Sequence, residues 1–221
     1  MNSYWKRLSA YLSLTLGLWL TIPALATDIT IKLQNQQKQA LADAVLYLVS
    51  PSGPLESPTI THQIEQVNKQ FVPLVSAVPV NSVVEFPNHD HVKHHVYSFS
   101  TPKTFEIRLY KGADSPPVTM DKPGIVTLGC NIHDFMVGYI YILDTPYYGV
   151  SNKDGIVNIQ NVASGTYTLK AWHPGIQQGR EIDLETLKIG DNTTLTRQHQ
   201  LSIKPEAYWK PQAGESDEYG F

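Results

Sequence analysis

A single cysteine stands in 221 residues. No disulfide can form within the chain, which excludes a small scaffold stapled by such bonds. Charge of either sign is scarce, with 17 basic and 20 acidic side chains and a formal net charge of -3. A nucleic-acid partner would require a basic face for the phosphate backbone, and none is expected. Past the first 26 residues no run is long and apolar enough to span a membrane, and no helical period is long enough to predict a helix. Repeats of fixed period and low-complexity runs are absent. The acids are scattered on turns, so no paired-carboxylate or Ser-His-Asp arrangement can be argued.

What is present begins with an export signal. Lys6 and Arg7 precede an apolar run from Leu12 to Ile22, and Ala24-Leu25-Ala26 has the small-x-small pattern of a cleavage site. Cleavage after Ala26 would leave a mature chain from Thr27 with 15 basic and 20 acidic side chains, expected in the periplasm. An uncleaved anchor is the alternative. Pro23 and a run shorter than the roughly 20 residues needed to span oppose it. Exported proteins normally use cysteines in pairs, so a lone Cys130 points to a thiolate protected by a metal, against an inert buried thiol.

The mature chain alternates apolar and polar residues in short runs. Ile29, Ile31 and Leu33, then Ala44, Leu46 and Leu48 after a polar turn at 35–39, read as a β-hairpin. A Pro- and Ser-rich linker covers 51–58, and short strands resume from Gln63. Alternation returns from His94 to Tyr110, Ile125 to Leu128 leads into Cys130, and Val137 to Leu143 forms a long apolar strand. Further on, Tyr148 to Ile159 reads as a hairpin around Asp154-Gly155, and Gly165 to Trp172 as another strand. Many short strands between Pro and Gly turns predict an all-β chain with a Greek-key sandwich.

The chemistry is concentrated in Gly129-Cys130-Asn131-Ile132-His133-Asp134-Phe135-Met136. Thiolate, imidazole and thioether at C-x-x-H-x-x-M spacing are donors that select copper over magnesium or calcium. A trigonal copper centre needs a second imidazole, and Phe86-Pro87-Asn88-His89-Asp90-His91-Val92-Lys93-His94-His95 upstream supplies candidates. His89 and His91 could capture a second metal but read more simply as solvated loop residues. His62, His173 and His199 form no constellation, and Met120 reads as core.

The pairing of N-x-D-x-x-x-H (Asn88, Asp90, His94) with the distal C-x-x-H-x-x-M loop resembles the cupredoxins, small type 1 copper proteins, and most closely their amicyanin-like members. It is also similar to chains described as methylamine utilisation proteins. The resemblance covers 63–144 and implies one copper cycling between Cu(I) and Cu(II), with His94, Cys130 and His133 in the plane and Met136 axial. It further implies that Asn88, His95 and Asn131 support the ligands from behind, with the His95 amide donating to the Cys130 sulfur. Many cupredoxins have asparagine where His95 stands, so His95 could instead compete with His94. Electrons would pass through the exposed edge of His133, inside an apolar docking rim of Ile132, Phe135 and Val137 beside Asp134.

Residues 28–50 and the Asp154-Gly155 and Gly165-x-Tyr167-x-Leu169 strands resemble the carboxypeptidase regulatory-like, or transthyretin-like, sandwich. The expected organisation is a signal peptide over 1–26, first strands of the regulatory-like sandwich over 27–54, a cupredoxin unit over 55–144, the remaining strands over 145–203 and a flexible tail over 204–221. A single enlarged sandwich is the alternative. Two functions follow from the resemblance: a one-electron carrier between a redox donor and acceptor, or a copper-binding, storage or structural accessory module. An enzyme is not expected, because Gly129 and Asn131 stand where multicopper enzymes place a histidine beside the cysteine to wire it to a second centre.

Overall fold

The computed structural model describes residues 26–190 and 194–204. Residues 1–25 of the expected signal peptide and 205–221 of the expected tail lie outside these residues. Two strands open the fold, β1 (Ala26–Asn35) and β2 (Val45–Val49). Ten follow: β3 (Thr61–Gln63), β4 (Glu65–Val67), β5 (Gln70–Val72), β6 (Val75–Pro79), β7 (Ser82–Glu85), β8 (His94–Ser100), β9 (Lys103–Tyr110), β10 (Val118–Met120), β11 (Gly124–Gly129) and β12 (Val137–Leu143). Five close it: β13 (Tyr148–Val150), β14 (Ile156–Ala163), β15 (Gly165–Trp172), β16 (Ile182–Ile189) and β17 (Leu195–Leu201). Among the described residues the only helical element is one 3-10 turn, Gln177–Gly179, so the protein is all-β. No described helix is long and apolar enough to cross a membrane.

The middle strands form a five-stranded sheet in the order β6-β12-β11-β8-β9 and a three-stranded sheet β10-β7-β3, with β4 and β5 as a separate hairpin. Alternation along each strand sends Val96, Val126, Leu128, Ile140 and Ile142 of the first sheet and Val84 and Met120 of the second into one buried cluster. That cluster includes Cys130 and Met136 at its end.

The outer strands build a second pair of sheets, β14-β1-β17 and β13-β2-β15-β16. Their core contains Ile29, Ile31, Leu33, Leu46, Leu48, Leu169, Ala171, Leu187 and Leu201, drawn from both ends of the chain. Both expected hairpins are corrected here. β1 pairs with β14 and, in parallel, with β17, while β2 pairs with β13 and β15 in the facing sheet. The turn at 35–39 does close, with the Asn35 side chain accepting from the Gln37 and Gln39 amides. Both edges of β1 are taken, so the chain leaving that turn crosses to the other sheet. Asp154-Gly155 is a corner of the same kind, joining β13 in one sheet to β14 in the other. Gly155 is required there: its φ is +72°, and a Cβ would overlap the Leu33 carbonyl oxygen.

A third buried cluster joins the two pairs of sheets, with Val45, Tyr47 and Trp172 packed against Val75, Ala77, Tyr141 and Leu143. The Tyr47 and Tyr141 hydroxyls lie 2.9 Å apart, and the Trp172 indole meets Tyr139 and Tyr141 edge-on at 5.8 and 5.6 Å. His173, just past β15, is buried, and its Nδ1 accepts the Gly175 amide at 2.9 Å. Where the chain enters and leaves the middle unit, the Leu55 amide donates to the Asp144 carbonyl at 2.9 Å.

Candidate metal centre

Cys130 follows directly from β11, whose last residue, Gly129, sits opposite Tyr97 of β8. A Cβ on Gly129 would lie 2.7 Å from the Tyr97 ring, so glycine lets the two strands approach beside the thiol. The chain then turns: the Met136 amide donates to the His133 carbonyl at 2.8 Å, and β12 begins at Val137. His94 is the first residue of β8 and is fully buried.

These elements bring three donors to one point. The Cys130 Sγ lies 3.9 Å from His94 Nδ1 and 3.8 Å from His133 Nδ1, and the three potential ligand atoms all fall within 4.8 Å of one another. Cys130 is 2% exposed and Met136 1%, whereas His133 is partly exposed. The group is therefore placed to hold a metal ion at the buried end of the sandwich, with one imidazole reaching toward solvent.

Electrostatics favour the ligating forms of Cys130 and His133. Burial would push the Cys130 thiol up, but the His94 imidazole and the amides of His95, Ile132 and His133 outweigh it and hold the thiol below its usual range. Burial pushes His133 down, assisted by the charges of His94 and Lys69 and opposed by Asp90, which keeps that ring neutral and able to ligate. His94 has burial against it, yet the Cys130 and Asp90 partners raise its pKa overall.

The remaining expected residues fall into distinct places. Asn88 is buried, and its Nδ2 donates to the Val92 and Tyr110 carbonyls at 3.0 and 3.1 Å, pinning the loop that precedes His94. His95 alternates to the other face of β8, where its Nε2 lies 3.0 Å from Glu106 Oε1, and it is not part of the cluster. Asn131 is exposed. Ile132 is 46% exposed, Val137 is half-buried, and the half-buried Phe135 ring lies 5.8 Å from His133. His89 and His91 are exposed, with His89 4.0 Å from Glu65.

Asp90, present in the N-x-D-x-x-x-H motif, and Lys69 have roles that the sequence did not assign. Asp90 Oδ2 lies 2.7 Å from His94 Nε2, on the side of the ring away from Cys130. Lys69, in the turn between β4 and β5, acts electrostatically on His133. The i,i+4 spacing of Asp90 and His94 was visible; the approach of the 68–69 turn had no sequence signal.

No known family profile matches the sequence, and no curated protein matches it. Among solved structures, the chain is similar to a copper-containing nitrite reductase from Thermus scotoductus SA-01, at 25% identity over 43% of this chain and 25% of that one, with a TM-score of 0.35. A purple cupredoxin from Nitrosopumilus maritimus matches at 22% identity over 37% of this chain and 98% of that one, TM-score 0.34. A reduced Cu(I) form of an amicyanin mutant matches at 14% identity over 45% of this chain and 98% of that one, TM-score 0.34. The chain thus spans a quarter of the length of the nitrite reductase. The chain itself is an all-β protein in which His94, Cys130 and His133 converge on a point able to hold a metal ion.

Proposed function

We propose that the chain is an exported type 1 copper protein that carries one electron at a time between redox proteins, with a cupredoxin unit over 55–144 set into a regulatory-like sandwich. The observation that carries this reading is the convergence of one thiol sulfur and two imidazole nitrogens within 4.8 Å of one another, with Cys130 and His94 buried and His133 partly exposed. The donor set fits copper, because thiolate suits Cu(I) and imidazole suits both oxidation states. Bound copper would supply a one-electron couple.

The residues divide the work. Cys130, His94 and His133 would hold the ion, and the buried Met136 thioether would add a neutral sulfur donor. Amides of His95, Ile132 and His133 directed at the sulfur stabilise its negative charge, which disfavours protonation and loss of the ligand. The loop is anchored at its ends by β11 and β12 and closed by the Met136 amide on the His133 carbonyl, which would limit movement of the ligands. His133 and Ile132 reach the surface beside the exposed Asn131 and Asp134, so a partner's surface would meet the site there, in a small contact that releases readily. A periplasmic location follows from the export signal, and an electron-transfer role without turnover of a small substrate follows from Gly129 and Asn131 beside Cys130.

The test is the visible and electron paramagnetic resonance spectrum of the chain from Thr27 loaded with one equivalent of Cu(II), before and after a mild reductant. An intense thiolate-to-copper band that bleaches on reduction, returns on reoxidation and is lost in Cys130→Ala is expected. A pale Cu(II) spectrum, or colour that survives Cys130→Ala, would overturn the reading and leave a metal-handling or structural module.

A further inference from the structure

His94 is tied into the protein through a chain of contacts that begins far from the metal centre. β4 and β5 are joined by the two-residue turn Asn68-Lys69, with both residues in the left-handed region at φ 53° and 56°. This backbone is that of a tight hairpin turn, for which glycine is the usual second residue; here lysine occupies it. The turn directs two amides at one carboxylate. Asn68 N–H donates to Asp90 Oδ1 at 2.7 Å, and Lys69 N–H donates to Asp90 Oδ2 at 2.8 Å. The backbone of Asp90 is held in turn, its own N–H donating to Asn88 Oδ1 at 2.9 Å.

Donor counting then assigns the remaining contact. Both Asp90 oxygens already accept backbone amides, Oδ1 from Asn68 and Oδ2 from Lys69, so the side chain is placed as a carboxylate acceptor toward His94. An ionised carboxylate only accepts. The 2.7 Å contact between Asp90 Oδ2 and His94 Nε2 therefore places a proton on Nε2, so that Nδ1 is the nitrogen turned toward Cys130 Sγ and the one that would ligate.

We propose that Asp90, clasped by the 68–69 turn, is a positioning residue for the metal centre. Its carboxylate locks His94 in the Nε2–H tautomer, fixes the ring's rotation and strengthens Nδ1 as a donor. The inference rests on the copper reading for its consequence at the metal, but its tautomer claim concerns the metal-free chain alone. Partners behind a ligating histidine typically change metal affinity by about 10- to 100-fold when removed. Asp90→Asn keeps the shape of the side chain and removes its charge and one of its accepting oxygens. Cu(II), the more highly charged state, depends more on an electron-rich Nδ1 than Cu(I) does, so Cu(II) affinity falls more and the reduction potential rises. Each tenfold change in the affinity ratio corresponds to about 59 mV for one electron.

The experiment has two arms. Long-range nitrogen–proton correlation spectra of the metal-free wild-type chain should show His94 protonated at Nε2, whether or not Nδ1 also carries a proton, and a ring protonated at Nδ1 alone would overturn the inference whatever the metal result. In the copper-loaded chain, Asp90→Asn should weaken Cu(II) binding at least tenfold and raise the potential. Glu185→Gln, which alters the remote Glu185–His199 pair at 2.8 Å, should change neither. An Asp90→Asn protein with wild-type affinity and potential would overturn the inference. If Asp90→Asn lowers thermal stability while affinity and potential stay at wild-type values, Asp90 is structural only and the inference falls. A wild-type chain without the thiolate band would sink the copper reading instead, and the tautomer arm would still decide the role of Asp90.

Discussion

Trp172→Ala tests the joint between the two pairs of sheets. The indole is 2% exposed, sits between Tyr139 and Tyr141, and donates through Nε1 to the Gly179 carbonyl at 3.2 Å. Truncating a buried tryptophan removes its transfer free energy and leaves a cavity, a loss of about 3–5 kcal/mol. Two edge-to-face ring pairs and one hydrogen bond place this site toward the upper end. At roughly 2–4 °C per kcal/mol for a chain of this size, the melting temperature should fall by about 6–20 °C. The assay is guanidinium and thermal unfolding by circular dichroism, with the copper absorption recorded on the same folded samples. Trp172 is absent from the metal-binding cluster, so the absorption of the folded variant should keep its position and intensity. Trp172→Phe, which keeps most of the ring but loses the hydrogen bond, should lose less. A loss below about 1 kcal/mol for Trp172→Ala would refute the description of this cluster as a packed joint. An altered copper band with little loss of stability would refute the separation of joint from site.

Three further outcomes are expected. Met136→Leu should retain copper and raise the reduction potential, because an apolar side chain donates nothing to Cu(II); an unchanged potential in a titration against redox mediators would remove Met136 from the ligand set. His89→Ala and His91→Ala should leave the copper spectrum unaltered, and a change in either would mean that the upstream ligand had been misassigned. At alkaline pH, Tyr47 and Tyr141 resist ionisation: burial raises both, and hydrogen bonding adds to it for Tyr47 through Tyr141 and for Tyr141 through Glu181. Tyr110 is pushed up to about 12 by burial. Phenols that hold their protons only when folded contribute stability that is complete below about pH 10 and declines as pH rises above it, by about 1.4 kcal/mol per unit for each group. Absorbance at 295 nm for these residues should therefore rise together with the loss of circular dichroism, and full ionisation near pH 10 in a still-folded protein would contradict the burial.

The site was legible where its chemistry is local. C-x-x-H-x-x-M compresses three donors into one loop, and the structure brings two of them, Cys130 and His133, together with His94 from a strand that neighbours β11. Asp90 was visible only as a letter in a motif, because its role depends on amides from residues 68 and 69 that reach it through a separate hairpin. For the fold, period-two alternation located β1 and β2 and, as one unbroken segment, β8 with β9, while apolar runs located β11 and β12. Alternation is silent on pairing. The polar turns at 35–39 and 154–155 satisfy local backbone hydrogen bonds equally well in a hairpin or at a corner between facing sheets, and here long-range partners chose the corner. β17 was missed because its residues alternate between half-exposed and exposed until Leu201, and its parallel register with β1 joins opposite ends of the chain.

The hydrogen bond from Leu55 to Asp144 has a consequence for the order of events during synthesis. β1 emerges first but pairs only with β14 and β17, the former more than a hundred residues later; Thr30 and Asn158, bonded through their side chains at 3.0 Å, are 128 positions apart. Every strand that pairs within the middle unit, β3 to β12, has by then left the ribosome, so this unit is expected to fold while β1 and β2 still wait. Once folded, its two ends lie side by side, and a loop as long as the whole unit becomes a short junction. Each halving of effective loop length lowers the closure cost by about 0.6 kcal/mol. The metal-binding half would thus act as a template for the half that encloses it, and a nascent chain arrested once β12 is clear of the exit tunnel should already bind copper.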